Sequence, residues 1–426
     1  MANAIKNKRI VLQEYGEPVD IQPGEINHHS LTQANKQWAR ALGLNRDPIQ
    51  IIRLVDGRVR LRAEEVTGVV RIGDTDIEIT PKFLSSTKES WQTVLWRILA
   101  VVEGGYVDDK TTTAHEVESL AMPDLLAEMF LASYSGGAIR GLPRTYQTTI
   151  TSGSMLRGSI DISRVGDWLI RPWEIPYIAD MLVDDTPLAR LFRWTAEQLA
   201  ATVKSPVRSR AVREIASALS HVGRNPPHLI DAQQIQLGIQ HASLETARIV
   251  GLLLLTGSGV HHALGEHAIT GFLWKSDVIY ENYVYWLCKR AASKRGKKVT
   301  KASVKFGEII YGEGSRLETT PDVVFSDAQG NTVAITDSKY KRFGTRPKAT
   351  DTYQILTAGQ VLGCQRVSLT YPVEEDRTPT VWKITSKQGR GDVQLTALPL
   401  NLMSLVKPDG PQHLVDAICD WLDDRN

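Results

Sequence analysis

The sequence predicts an α/β protein: a C-terminal mixed sheet flanked by helices, preceded by a small β-rich N-terminal domain with a helix and a mainly helical middle region. Three observations predict it. Between Asp277 and Tyr371, amphipathic helical stretches and β-branched runs follow in the order helix, strand, strand, helix, strand, as a sheet covered by helices requires. Between Ile49 and Phe83, short apolar runs are joined by Asp56-Gly57 and Gly73-Asp74, dipeptides that close hairpins. From about Thr186 to Leu255 the apolar residues recur mostly at helical spacing. The expected domains are therefore 1–103, 104–256 and 257–426.

Residues 8–23 read as extended, and Ile26 to Leu44 as a helix burying Leu31, Ala34, Trp38, Ala41 and Leu42. Strands follow in IQIIRL, RVRLRA, VTGVVRI and DIEITPKF, and Trp91 to Val102 is an apolar helix. Residues 104–122 are polar and without period, as in a linker or loop. Pro123 opens a helix at the position where its missing N–H costs nothing, with Leu125, Leu126, Met129 and Phe130 at core spacing. SGGAIRGLPRTY is irregular, and SMLRGSIDISR is strand-like. Lys204, Arg208, Arg210, Arg213 and Arg224 read as a solvated helix face. Residues 257–273 interrupt the helical pattern and mark the entry to the last domain. His261, His262 and His267 lie there with no Cys or carboxylate at a ligand spacing, so they read as structural or exposed.

Asp277 to Ala292 forms a helix with Ile279, Tyr283, Trp286 and Leu287 on one face and Glu281 on a neighbouring one. Val323–Ser326, the turn Asp327-Ala328-Gln329-Gly330-Asn331, and Thr332–Thr336 then make a hairpin. Its two arms have similar length, so Asp322 returns beside Asp337. Alternation puts Asp337 and Lys339 on one face and points Ser338 away. Asp351 to Gly363 is a helix capped by Thr350 or Asp351. Arg366–Tyr371, Val381–Ile384 and Val393–Ala397 are strands, and HLVDAICDWLDD closes as an amphipathic helix.

Composition narrows the function. Of 426 residues, 42% are hydrophobic and 23% charged, ordinary for a soluble globular protein. The net charge of +2 means that nucleic-acid contact must come from local patches. The apolar run Ile249–Leu255 is too short to span a membrane, and the first residues lack the apolar stretch of a signal peptide. Cys288, Cys364 and Cys419 are scattered, which argues against a zinc knuckle or disulfide framework and fits a reducing compartment. A cytoplasmic location is expected. The sequence holds no GxxxxGK[ST], no GxSxG elbow, no HExxH, and no GxGxxG after a strand. Any nucleotide energy must come from a partner.

Two carboxylates and an ammonium converging on one spot suit a hard divalent cation and an attacking water. Mg²⁺, with Mn²⁺ as a substitute, would be held by Asp322, Asp337 and the Ser338 carbonyl, with Glu281 adding an oxygen from the preceding helix. Lys339 would orient or help deprotonate the water and offset phosphate charge, and Gln354 would hydrogen-bond the water or the phosphate. Between Lys289 and Lys305 lie eight basic residues and no acidic one. Basic runs are usually solvent-facing, but this one precedes the acidic site, and Lys341 and Arg342 follow it. Lys294, Arg295, Lys297, Lys298, Lys341 and Arg342 are the candidate DNA contacts.

Asp322, then Asp337-Ser338-Lys339, with a helical Glu281 before and Gln354 after, resembles the PD-(D/E)xK nuclease superfamily. The chain from about residue 8 to 400 resembles the McrC family, nuclease subunits of McrBC and LlaJI-type modification-dependent restriction systems. The likeness lies in VTGVVRIGDTDIEITPKF (66–83), RGLPRTY (140–146), LRGSIDISR (156–164), DMLVDDTPLARLFR (180–193), IYENYVYWLCKR (279–290) and TDTYQIL (350–356). The resemblance implies a C-terminal endonuclease, and N-terminal two-thirds that dock on an McrB-like AAA+ GTPase hexamer and stimulate its GTP hydrolysis. The partner would recognise modified duplex DNA. An arginine delivered in trans stabilises phosphoryl-transfer charge, and Arg140, Arg144 and Arg157 are the candidates. The alternatives are a non-catalytic assembly or GTPase-activating factor and a stand-alone nuclease.

Overall fold

The computed structural model describes residues 8–72, 75–84, 91–102, 122–139, 141–256, 262–264, 267–301, 304–307, 317–385, 392–407 and 409–423. They form a mixed α/β protein of two compact units, one built from 1–122 with 257–426 and the other from 123–256.

The first unit begins with β1 (Lys8–Gln13), β2 (Val19–Ile21), α1 (His28–Ala41), β3 (Ile49–Arg53), β4 (Val59–Ala63), β5 (Val66–Ile72), β6 (Thr75–Thr80) and α2 (Trp91–Val102). Asn27 caps α1 by accepting from the Ser30 N–H at 3.1 Å. Asn35 of α1 then bonds both backbone groups of Ile49, at 2.6 and 3.1 Å, and so fixes the start of β3. Leu31, Trp38, Ile49, Leu61, Ile77 and Ile79 share one buried cluster.

The second unit holds α3 (Met122–Ala138), β7 (Thr145–Gly153), β8 (Ser159–Ile160), α4 (Val165–Ile170) and β9 (Ile175–Val183). It ends with α5 (Pro187–Thr202), α6 (Pro206–Ala218), α7 (Leu229–Gln234) and α8 (Glu245–Thr256). Thr186 caps α5 and Pro187 occupies its first turn. Phe130, Tyr134 and Phe192 meet ring to ring in the unit's core. A middle region expected to be mainly helical also carries the antiparallel sheet β7-β9-β8. Its strand TYQTTITSG is half exposed and polar, so it lacks the apolar alternation that would have revealed it.

The chain then returns to the first unit through β10 (His262–Leu264), β11 (His267–Lys275), α9 (Ser276–Lys294), β12 (Lys298–Thr300), β13 (Val304–Gly307) and β14 (Leu317–Thr319). The remaining elements are β15 (Val323–Ser326), β16 (Thr332–Ser338), α10 (Ala349–Val361), β17 (Arg366–Val373), β18 (Thr380–Ile384), β19 (Val393–Asn401) and α11 (Gly410–Leu422). A six-stranded sheet runs in the order β12-β15-β16-β17-β19-β18. It is parallel at β16–β17 and β17–β19 and antiparallel elsewhere. Ile335, Val367, Leu369 and Leu395 bury one face of it with Ile355 of α10. Phe325, of opposite parity in the strand ladder, meets Trp421 of α11 edge-on at 5.9 Å.

The second unit ends at Thr256, where the sequence suggests a boundary, but the chain beyond it continues the N-terminal sheet rather than opening a separate domain. β11 pairs antiparallel with β5, giving the order β1-β6-β5-β11-β10. Gly68 permits this. Its φ is +142°, and a Cβ there would collide with the Phe272 carbonyl of β11. The Arg97 guanidinium of α2 donates to the carbonyls of Leu405 and Lys407 at 2.7 and 2.6 Å, a second tie between the two ends of the chain. The expected separate N-terminal domain thus forms one unit with the C-terminal third. His261 lies outside the described residues, as do the side chains of His262 and His267.

Candidate active site

The β15–β16 hairpin forms as expected, with Val323 opposite Thr336, so Asp322 and Asp337 emerge together at its open end. Asp322 Oδ2 accepts from the Ser338 N–H at 2.7 Å and also from the Ser338 hydroxyl. The Ser338 hydroxyl, which alternation points away from the face of Asp337 and Lys339, reaches the Asp322 carboxylate, because Asp322 precedes the first paired residue of β15 and can turn toward it.

Asp337 is 3% exposed. Among the described residues its Oδ2 accepts no hydrogen bond, although the Lys339 ammonium lies against it as an ion pair. Lys339 is anchored by its own N–H, which donates to the Thr370 carbonyl of β17 at 2.9 Å. Its ammonium also donates to Gln354 Oε1 of α10 at 3.4 Å. Four expected residues therefore meet: Asp322, Asp337, Lys339 and Gln354. Burial and the neighbouring Asp337 charge push Asp322 up to about 6, while the Ser338 donors pull the other way. Two like charges out of water are unfavourable, and a cation between them removes that cost.

Glu281 stands differently. Its carboxylate is paired with Lys301, just beyond β12. Among the described residues, no group of three or more His, Cys, Asp or Glu side chains is gathered as a metal centre. Lys301 is raised above the ordinary lysine value, first by the Glu281 hydrogen bond and then by the charges of Glu281 and Asp322. Sequence reasoning counted Lys301 only within the basic run; its place beside both carboxylates depends on the β12–β15 pairing.

The basic candidates divide. Lys294 pairs with Asp416 at 3.1 Å, and Arg295 grips Asp423 through two nitrogens at 2.9 and 2.6 Å. Both join α9 to α11. Lys341 binds both oxygens of buried Asp351 at 2.9 and 3.0 Å. Asp351 thus lies within the first turn of α10, whose cap is Lys348 rather than Thr350 or Asp351. Arg342 donates to the Lys82 carbonyl at 3.4 Å. These acidic partners are distant in the chain or buried, and a charge count cannot see them. Lys297 is half-buried and Lys298 exposed, and among the described residues no ion pair holds either. In the second unit, Arg144 pairs with Asp184, Arg157 is exposed, and Arg140 lies outside the described residues.

Among the described residues no helix is long and apolar enough to cross a membrane. A family model described as "McrBC 5-methylcytosine restriction system component" matches residues 61–372. A chain of the refined half-complex from the tetradecameric assembly of Thermococcus gammatolerans McrB AAA+ hexamers with bound McrC is similar in fold. Its TM-score is 0.64 at 13% identity, over 96% of this chain and 99% of that one. A chain of the cryo-EM McrBC complex from the same organism has a TM-score of 0.48 at 14% identity, over 67% of this chain and 88% of that one. No curated protein matches the sequence.

Proposed function

The chain belongs to the family of McrBC 5-methylcytosine restriction system components, and on that premise we propose that it is the subunit that hydrolyses DNA phosphodiester bonds, assembled with an McrB-like AAA+ GTPase hexamer. One observation carries the catalytic part: Asp322 and Asp337 meet at the end of the hairpin, with the Lys339 ammonium against an Asp337 oxygen that accepts no hydrogen bond among the described residues. In this reading the six-stranded sheet with α9 and α10 is a PD-(D/E)xK nuclease core.

The residues present fit a divalent metal ion. The donors are hard carboxylate oxygens of like charge, and one of them, faced by the Lys339 ammonium, accepts no hydrogen bond among the described residues. Mg²⁺, with Mn²⁺ as a substitute, would be held by Asp322, Asp337 and the Ser338 carbonyl, supplying charge neutralisation and Lewis acidity at the phosphate. Glu281 stays with Lys301 outside that set. Lys339 holds the attacking water in line and takes up phosphate charge, and Gln354 orients the ammonium through its carbonyl oxygen. Lys297 and Lys298, which no ion pair holds among the described residues, meet the DNA backbone.

The assembly named for the similar fold, McrB AAA+ hexamers with bound McrC, motivates the partner. The second unit supports docking: Ile150, Met155, Ile162, Leu169, Ile170 and Trp173 are all exposed in or beside β7, β8 and α4. Exposed apolar residues this dense mark protein contact surfaces. Replacing Asp337 with Ala abolishes DNA cleavage by the assembled complex while leaving GTPase stimulation intact. Cleavage by that variant at the wild-type rate would rule the site out.

A further inference from the structure

The N-terminal sheet reaches the candidate site through the residue that follows Lys339. The Tyr340 hydroxyl donates to Glu14 Oε2 at 2.6 Å. The same carboxylate oxygen accepts from the Lys82 N–H at 3.2 Å. Glu14 lies just past β1 and is 1% exposed; its own N–H donates to the Thr80 carbonyl at 2.9 Å. The Lys82 ammonium stands over three rings: Tyr340 at 4.0 Å, Tyr15 at 4.9 Å and Phe83 at 5.2 Å. Phe83 meets the Tyr340 ring edge-on at 4.7 Å, and Tyr280 of α9 packs beside it at 5.7 Å. Tyr15 adopts φ +55°, a left-handed backbone that costs a non-glycine residue free energy. It is held there by its N–H bond to the Ala63 carbonyl at 2.9 Å.

A buried carboxylate, an ammonium among aromatic rings and a strained tyrosine are each unfavourable alone. Together they satisfy one another, and the atom they grip belongs to the residue next to the site lysine. An apolar cluster would join the two ends of the unit at lower cost. The directional bond to Tyr340 adds a fixed position for the backbone that carries Lys339, a property an apolar cluster lacks.

We propose that Glu14 and Lys82 are positioning residues: they clamp Tyr340, and the clamp sets where the Lys339 ammonium stands between Asp337 and Gln354. The N-terminal sheet is thereby part of the cutting machinery. This rests on the nuclease reading above.

The test is single-turnover and steady-state cleavage of modified duplex DNA by the full chain assembled with its GTPase partner, comparing wild type with Tyr340→Phe, Glu14→Leu and Glu14→Gln. Tyr340→Phe keeps every ring contact and removes only the donor. Because small misplacements of a catalytic group cost one to two orders of magnitude, it lowers kcat about tenfold or more, with KM for DNA and GTPase stimulation nearly unchanged and the folded state retained at the assay temperature despite the lost donor to Glu14. Glu14→Leu shows the same kcat loss. Glu14→Gln retains an acceptor for the Tyr340 hydroxyl and stays within about threefold of wild type. Wild-type kcat in Tyr340→Phe overturns the clamp while leaving the nuclease reading standing, as does a loss seen only as lowered stability. A wild-type complex that does not cleave overturns both.

Discussion

Glu14 is a buried carboxylate whose environment takes it far from its solution chemistry. Burial pushes it up to about 7 from 4.5, with Lys82 and the Tyr340 hydrogen bond pulling it down. The folded chain therefore binds its proton more tightly than the unfolded chain does, and the associated stability is complete below about pH 4.5 and lost as pH rises through about 7. At 1.36 kcal/mol per pKa unit this is on the order of 3 kcal/mol. Denaturant unfolding of wild type and Glu14→Gln should show the wild-type advantage shrinking by that order between pH 4.5 and 7.5; parallel pH profiles would contradict it. Lys339 makes a second case. Its ammonium is the only cation paired with Asp337 among the described residues, so Lys339→Ala should abolish cleavage, checked by plasmid nicking, without lowering GTP turnover by the partner.

At the scale of elements, the β5–β11 pairing holds the first unit together. Gly68→Ala places a Cβ against the Phe272 carbonyl at a backbone angle that alanine rarely adopts, and should cost about 3 kcal/mol or more, measured by chemical denaturation. In the second unit, Arg157 is exposed beside β8 while Arg144 is committed to Asp184. Arg157→Ala should return the partner's GTPase to its basal rate and leave this chain's melting temperature unchanged, whereas Arg144→Ala should have a smaller effect on turnover. What could be read from sequence follows the range of the signal. The β15–β16 hairpin, α9 and α10 announce themselves by turn chemistry and local periodicity. β11 does not, because HAITGFLWK follows a glycine- and histidine-rich stretch, and its partner β5 lies almost two hundred residues earlier. β7 hides because its residues are mostly polar and its apolar ones, Tyr146 and Ile150, face solvent. In the site itself, Asp322, Asp337, Lys339 and Gln354 come together as their spacing implies. The Lys301–Glu281 pair links α9 to the residue after β12, and the grip of Glu14 on Tyr340 joins residues from two different sheets; no local pattern encodes either.

At the scale of the whole molecule, the proposed reading divides the work between the two units. The first carries the carboxylate pair on the β15–β16 hairpin of its six-stranded sheet. The second carries exposed apolar side chains and the exposed Arg157, the surface proposed to meet a partner. In the proposed reading, catalysis depends on Asp322 and Asp337 closing around one divalent cation. Calorimetric titration of Mn²⁺ into wild type and into Asp322→Asn/Asp337→Asn, both confirmed as folded by circular dichroism, tests that directly. A single binding event in wild type that vanishes in the double variant is the predicted result; equal Mn²⁺ binding by the two proteins would contradict it.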